Sequence, residues 1–239
     1  MYVKIEALFS WKEKFMIELK NFAKKYKDQV VLQDTNVKIG NNKISFLLGP
    51  NGCGKTTLLK CIGGLEDYSG TITYNNDDID KIRKDTLIIW DDCPFYDNLS
   101  GLDNLVILSE DTNLTKNDIK DMAKNYIDER LLKRKVKTYS YGQRKKLAIA
   151  LQEILNPKLL IMDEISNGLD YDTMKVLKED IKRISQDKNI ILTGHQFGFY
   201  EDMVEEVLVF VDNTIKDVTE EYNECKSLAK IYERYYYGK

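Results

Sequence analysis

The 239-residue sequence predicts an α/β fold: a largely parallel sheet with a helical segment inserted into it. Three observations predict it. Short apolar runs, Ile44–Leu48, Leu159–Met162 and Ile190–Thr193, recur between stretches of helical periodicity. A glycine-rich turn from Gly49 to Thr56 joins the first of these runs to a helical pattern. The stretch from Leu99 to Val136 is more polar and carries helix signals instead of strand signals. Strands that alternate with helices pair in parallel, because a parallel neighbour needs a long crossover.

The elements follow in chain order. Residues 1–15 mix Phe9, Trp11 and Phe15 with lysines. They are read as an N-terminal extension, an added strand and turn; a membrane-surface segment is the alternative. Met16–Leu19 opens one domain spanning 16–239, with a core at 16–90 and 140–215. Val30–Ile39 alternates as a strand does, and Ile44–Leu48 is short, apolar and stopped by glycine, as buried strands are. Thr56–Ile62 is helical and closes at Gly63-Gly64; Thr71–Tyr74 and Leu87–Trp90 are further strands. In a helical subdomain over about 91–139, Thr115-x-x-Asp118 opens a helix whose apolar stripe is Ile119, Met122, Ala123 and Tyr126. Gln143–Leu155 is a helix stopped by Asn156-Pro157. Leu159–Met162, Ile190–Thr193 and Val207–Val211 are strands, and Met174–Ile184 is a helix. In the tail, 216–239, Leu228, Ile231, Tyr232, Tyr235 and Tyr236 recur at helical spacing, which reads as a packing helix.

Composition narrows the function. With 43% hydrophobic and 31% charged residues the chain can bury a core. A net charge of -3 gives no basic footprint for nucleic acid. Cys53, Cys61, Cys93 and Cys225 form no C-x-x-C pair and there is a single His, which argues against structural zinc. Free thiols are expected at this size. No run of about 18 apolar residues suggests a membrane-spanning helix. A role in membrane transport would therefore require another chain for the membrane path.

Gly49-Pro50-Asn51-Gly52-Cys53-Gly54-Lys55-Thr56 matches G-x-x-x-x-G-K-[ST], a phosphate-binding loop in its expected place between strand and helix. Glycines let the loop curl so that backbone N–H groups face phosphate oxygens. The nucleotide-binding candidates are Asn51, Gly52, Cys53, Gly54, Lys55, Thr56 and Thr57. Lys55 meets the β- and γ-phosphates, and the Thr56 hydroxyl suits Mg²⁺. Leu159–Met162 runs into Asp163-Glu164, two carboxylates at the carboxyl edge of the sheet. Asp163 suits the metal and Glu164 suits polarisation of an attacking water. Cys53 within the loop is either a thiol made reactive by Lys55 and backbone N–H groups or a small loop filler.

Tyr139-Ser140-Tyr141-Gly142-Gln143 resembles the signature of ATP-binding cassette (ABC) ATPases, usually Leu-Ser-Gly-Gly-Gln; Tyr139 and Tyr141 depart from it. Asn167-Gly168-Leu169-Asp170 resembles the D-loop of that family, and His195 follows its strand as the switch histidine does. The resemblance covers roughly residues 16–215 and implies a P-loop NTPase (RecA-like) sheet core, an N-terminal antiparallel β subdomain and an inserted α-helical subdomain. It implies ATP and Mg²⁺, with Lys55, Glu164 and His195 catalytic and Tyr26 stacked on adenine. It implies that Ser140, Gly142 and Gln143 act in trans on the γ-phosphate of a second chain, with Asp170 at the interface. Partners implied are a homodimer or heterodimer of ATPase subunits and a separate transmembrane permease, of exporter type, on the cytoplasmic face of the cell membrane. Where the family carries Gln, counting back from Leu99-Ser100-Gly101 places Asp91, expected to be a ligand on the metal side together with Thr56 and Asp163.

Two rival readings stand beside the transporter subunit. A soluble ABC-type ATPase of an assembly or regulatory complex would use the same motifs. Translation-type members usually carry two cassettes and chromosome-type members a long coiled coil; neither feature is in this sequence. An inactive nucleotide-binding module is opposed by the presence of both Glu164 and His195.

Overall fold

A computed structural model describes residues 16–40 and 44–238; the N-terminal extension read over 1–15 lies outside the described residues. The fold is mixed α/β and contains two sheets. Strands β1 (Ile17–Tyr26), β2 (Gln29–Ile39), β4 (Ser69–Tyr74) and β5 (Asp77–Asp78) form an antiparallel sheet in the order β2-β1-β4-β5. The second sheet has the order β10-β9-β3-β8-β7-β6. Its members are β3 (Ile44–Leu48), β6 (Thr86–Ile89), β7 (Leu159–Met162), β8 (Asn189–Thr193), β9 (Glu206–Val211) and β10 (Thr214–Asp217). All its pairings are parallel except the β9–β10 hairpin at the edge.

The central strands read as continuous apolar runs because both faces are covered. Ile44, Phe46 and Leu48 of β3 face one hydrophobic cluster while Leu47 faces another. Leu160 and Met162 of β7 likewise oppose Leu159 and Ile161. Each such buried side chain contributes about 1.5–3 kcal/mol relative to exposure. One face is covered by α5 (Tyr141–Leu155), α6 (Tyr171–Ile184), α7 (Phe197–Tyr200), α8 (Thr219–Cys225) and α9 (Leu228–Tyr236). On the other face α1 (Lys55–Ile62) and the antiparallel sheet share a cluster.

The helical insertion contains α2 (Gly101–Leu108), α3 (Lys116–Ala123) and α4 (Glu129–Leu132). Thr115 and Asp118 close the expected capping box at the start of α3. Ile119 and Ala123 are buried against Leu147, Ala150 and Leu151 of α5. Because α5 also packs Ala148 and Ile149 on the main sheet, it is buried on two sides and joins the insertion to the core. The tail departs from a single packing helix. Lys226 adopts a left-handed conformation, φ 47°, and divides it into α8 and α9. Tyr236 of α9 donates to the Phe210 carbonyl at 2.5 Å and the Leu48 carbonyl at 3.4 Å, so the tail is tied to the strand that leads into the glycine-rich loop.

Candidate active site

The order β3-β8-β7-β6 brings four strand ends to one edge of the sheet. The glycine-rich loop follows β3, Gly194-His195 follows β8, Asp163-Glu164 follows β7 and Asp91 follows β6. Gly54 stands at φ 112°, where an L side chain is strained, and a Cβ there would lie 2.7 Å from Val31 of β2. The loop can therefore curl tightly into α1. No side chain caps that helix start, whose N–H groups are thus left to an anion. Lys55 is buried and donates to the carbonyls of Gly49 at 2.7 Å and Pro50 at 3.1 Å.

Thr56 donates to Asp163 Oδ2 at 3.0 Å, and Thr193 donates to Asp163 Oδ1 at 2.5 Å. A hydroxyl and a carboxylate held together are hard oxygen donors of the kind Mg²⁺ takes. Glu164 has φ 52°, an uncommon conformation for a residue with a Cβ. Its N–H donates to Thr193 Oγ1 at 3.0 Å. His195 Nε2 lies 3.3 Å from Glu164 Oε1 and 2.6 Å from Asn51 Oδ1. With oxygens on both, that nitrogen carries the proton. Burial and the Lys55 ammonium push the imidazole pKa down, which favours a neutral ring, so its contact with Glu164 is a hydrogen bond and not an ion pair. Glu164 is pushed up by burial; Asp163 and Asp91 add to that, and Lys55 and Lys145 oppose it. Its Oε2 is buried with no hydrogen-bond partner among the described residues, an acceptor open to a bound group.

This arrangement coincides with a family pattern: residues 32–167, more than half of the chain, match the model of the ABC transporter family. The chain belongs to the ABC transporter family. It is an ATP-binding, ATPase subunit of that kind. It is 30% identical over 221 residues to the lantibiotic transport ATP-binding protein SrtF of Streptococcus pyogenes, covering 91% of this chain and 96% of that one. It is also 30% identical over 225 residues to the spermidine/putrescine import ATP-binding protein PotA of Mycoplasma mycoides subsp. mycoides SC, covering 89% of this chain and 64% of that one. In fold it is similar to cbiO1 of Clostridium perfringens, part of the ABC transporter complex cbiONQ: TM-score 0.75 at 22% identity, over 92% of this chain and 95% of that chain.

As an ABC ATPase the chain has its parts in two places. Lys55, Thr56, Asp163, Glu164, His195 and Asn51 converge. Ser140, Gly142 and Gln143 sit instead at the start of α5. Ser140 accepts from the Gln143 N–H at 3.3 Å, and Gln143 Oε1 accepts from the Ser140 N–H at 2.9 Å. Ser140 and Gln143 therefore form a capping box that organises the helix start, and among the described residues no hydrogen bond joins them to the phosphate loop. Asp170 caps α6 by accepting from the Thr173 N–H at 2.8 Å, and that bond holds its carboxyl below the usual range.

The structure places three further candidates. Asp91 is tied not to the Thr56–Asp163 pair but to α5 and the D-loop. It accepts from Tyr141 at 2.7 Å, Lys145 at 3.1 Å and Asn167 at 3.3 Å. Burial pushes its pKa up, but these donors outweigh it and hold the carboxyl below its ordinary value. Burial pushes the Cys53 thiol up, against the opposing pull of Lys55, and the residue packs partly buried against the cluster that holds α1. Tyr26 ends β1 half-exposed, with Lys24 4.6 Å from its ring centroid. One approach to the ring is thus shared with a cation.

Sequence reasoning missed Thr193, Lys145 and Tyr141 as site residues. Thr193 is fully buried and bridges both carboxylate residues. Its only signal was a polar residue closing an apolar strand two positions before His195. Thr193→Val is expected to orphan the Glu164 N–H and cost about 1–3 kcal/mol. At about 2–4 °C per kcal/mol, thermal unfolding should register it, alongside a fall in kcat. An unchanged Tm and kcat would show the bridge to be dispensable.

Proposed function

We propose that this chain hydrolyses Mg-ATP in a head-to-tail sandwich with a second ATPase chain and thereby energises a separate transmembrane permease in export. One observation carries the reading. A phosphate loop, a hydroxyl–carboxylate pair, and a glutamate whose buried oxygen has no partner among the described residues converge at one sheet edge, while among those residues no hydrogen bond joins the capped start of α5 to the phosphate loop. An isologous pair would bring each α5 start to the opposite nucleotide.

In this reading the residues divide the work. Lys55 and the backbone from Asn51 to Thr57 bind the phosphates. Thr56 and Asp163 would hold Mg²⁺, which supplies charge neutralisation on the phosphate oxygens when bound. Glu164 Oε2 takes the attacking water, and His195, held by Asn51, fixes the other carboxylate oxygen. Ser140 and the α5 start of the partner chain cover the γ-phosphate. Release of that phosphate removes the bridge between chains, and the pair opens.

Export rests on the compact three-helix insertion and on the lantibiotic-transport relative, which this chain matches along nearly its whole length. No described helix is long and apolar enough to cross a membrane, so in this reading the membrane path belongs to another chain and this one docks on its cytoplasmic face. Affinity capture from detergent-solubilised membranes tests the partner: a multi-span polypeptide should co-elute with the full chain. Recovery of a soluble scaffold or of ribosomes instead would support the assembly-complex reading. Cells lacking the chain should retain the cargo; depletion of a solute inside them would indicate import.

A further inference from the structure

Lys145 is a charged residue in the interior, its side chain only 2% exposed. Its ammonium donates to Asp91 Oδ1 at 3.1 Å and to the Glu164 carbonyl at 3.2 Å, and lies 4.9 Å from the Tyr141 ring centroid. Tyr141 donates to both the carbonyl and the carboxylate of Asp91, at 2.8 and 2.7 Å. Its ring covers Gly168, where a Cβ would come within 2.8 Å of it. Asn167 donates its amide side chain to Asp91 and its backbone N–H to the Glu164 carbonyl, the latter at 3.0 Å. Three segments thus meet at one ammonium: the strand end at Asp91, helix α5 with Tyr141 at its start, and the loop from Glu164 to Gly168.

A buried ammonium needs a counter-ion, and Asp91 alone would meet that need. The second bond goes to the backbone of the one residue at the end of β7 that stands in a left-handed conformation, φ 52°. Such a conformation is uphill by about 1–3 kcal/mol and persists only where surrounding bonds over-determine it. Thr193 holds the N–H of Glu164 and Lys145 holds its carbonyl, so the peptide groups on both sides of the side chain are fixed.

We propose that Lys145 is a positioning residue for ATP hydrolysis: it fixes the backbone of Glu164 through the carbonyl oxygen, with Asp91 as its counter-ion and the Tyr141 ring as its cover. Two of the chain's departures from the family pattern, Asp91 and Tyr141, are then one device, since each is bonded to the other and both face the same ammonium. The inference rests on Glu164 being the residue that polarises water.

The test compares steady-state ATPase activity, ATP affinity and Tm of the full chain in five forms: wild type, Lys145→Met, Asp91→Asn, the double variant and Glu164→Gln. Lys145→Met should lower kcat on the order of tenfold or more, because small misplacements of a reacting group are costly. Its KM and Kd for ATP should stay within about twofold, the pattern of an interaction realised only in the transition state. The double variant removes the unpaired carboxylate and should regain Tm without regaining kcat. Where Lys145→Met does not fold, Asp91→Asn against the double variant isolates the lysine with no carboxylate to pair. Recovery of kcat together with Tm would make Lys145 a structural counter-ion only and overturn the proposal, as would an unchanged kcat in Lys145→Met. Wild-type turnover by Glu164→Gln would sink the reading of Glu164 itself, a failure separate from that of Lys145.

Discussion

Glu164→Gln is expected to stop turnover, keep ATP binding and trap two chains around the nucleotide. The side chain is half-buried at the end of β7, and burial raises its pKa, so its carboxylate is a better proton acceptor than an exposed one. One oxygen faces His195 at 3.3 Å and the other has no hydrogen-bond partner among the described residues. An amide is nearly isosteric and keeps the first contact through its carbonyl, but it cannot take a proton from water. Loss of a positioned base removes about 10²–10⁴ in rate. Binding draws on other residues, Lys55 and the N–H groups at the start of α1, and should be unchanged. Chromatography in Mg-ATP should show the variant as a dimer and the wild type mainly as monomer once its ATP is spent. A variant that hydrolyses ATP at the wild-type rate would remove Glu164 from the chemistry. A dead variant that stays monomeric would argue against the sandwich.

Lys55→Ala is expected to act one step earlier, on binding. The Lys55 ammonium is buried and held by the Gly49 and Pro50 carbonyls, inside the curl of the loop. A phosphate arriving at the start of α1 meets that cation already in place, so little ordering is left to be done. Charge-assisted hydrogen bonds of this kind contribute about 1.5–3 kcal/mol. At about 1.4 kcal/mol per decade, the Kd for ATP should rise roughly 10- to 100-fold. Titration of a fluorescent ATP analogue measures this without reliance on turnover. An unchanged Kd would mean that phosphate does not sit over the start of α1. The two variants separate binding from hydrolysis: only Lys55→Ala should weaken affinity, and only Glu164→Gln should trap the dimer.

Much of this site was legible along the chain because its chemistry is local. The loop from Gly49 to Thr56 needs its glycines at fixed offsets, and Asp163-Glu164 needs only an apolar strand before it. The central strands were legible for the same reason: Ile44–Leu48 and Leu159–Met162 have the bounds expected of them. Edges were harder. β10 carries the polar sequence Thr214–Asp217 and exists because β9 offers it a partner in a hairpin. β1 runs on to Tyr26 through Lys20, Lys24 and Lys25, residues that do not read as strand until β2 and β4 pair on either side.

By itself, then, the sequence determined the α/β class and the family, and it named the residues proposed to meet phosphate, since these depend on residues within a few positions of one another. Only the tertiary structure decided that β8 lies between β3 and β7, and therefore that Thr193 bridges Asp163 and Glu164. It alone decided the partner of Asp91, which is Lys145, 54 positions away and nearly at the opposite end of the helical insertion. A buried charge takes the nearest opposite charge in space, and spatial neighbours across that separation are set by strand order and by the packing of α5 on the sheet, neither of which is written in any one segment of the chain.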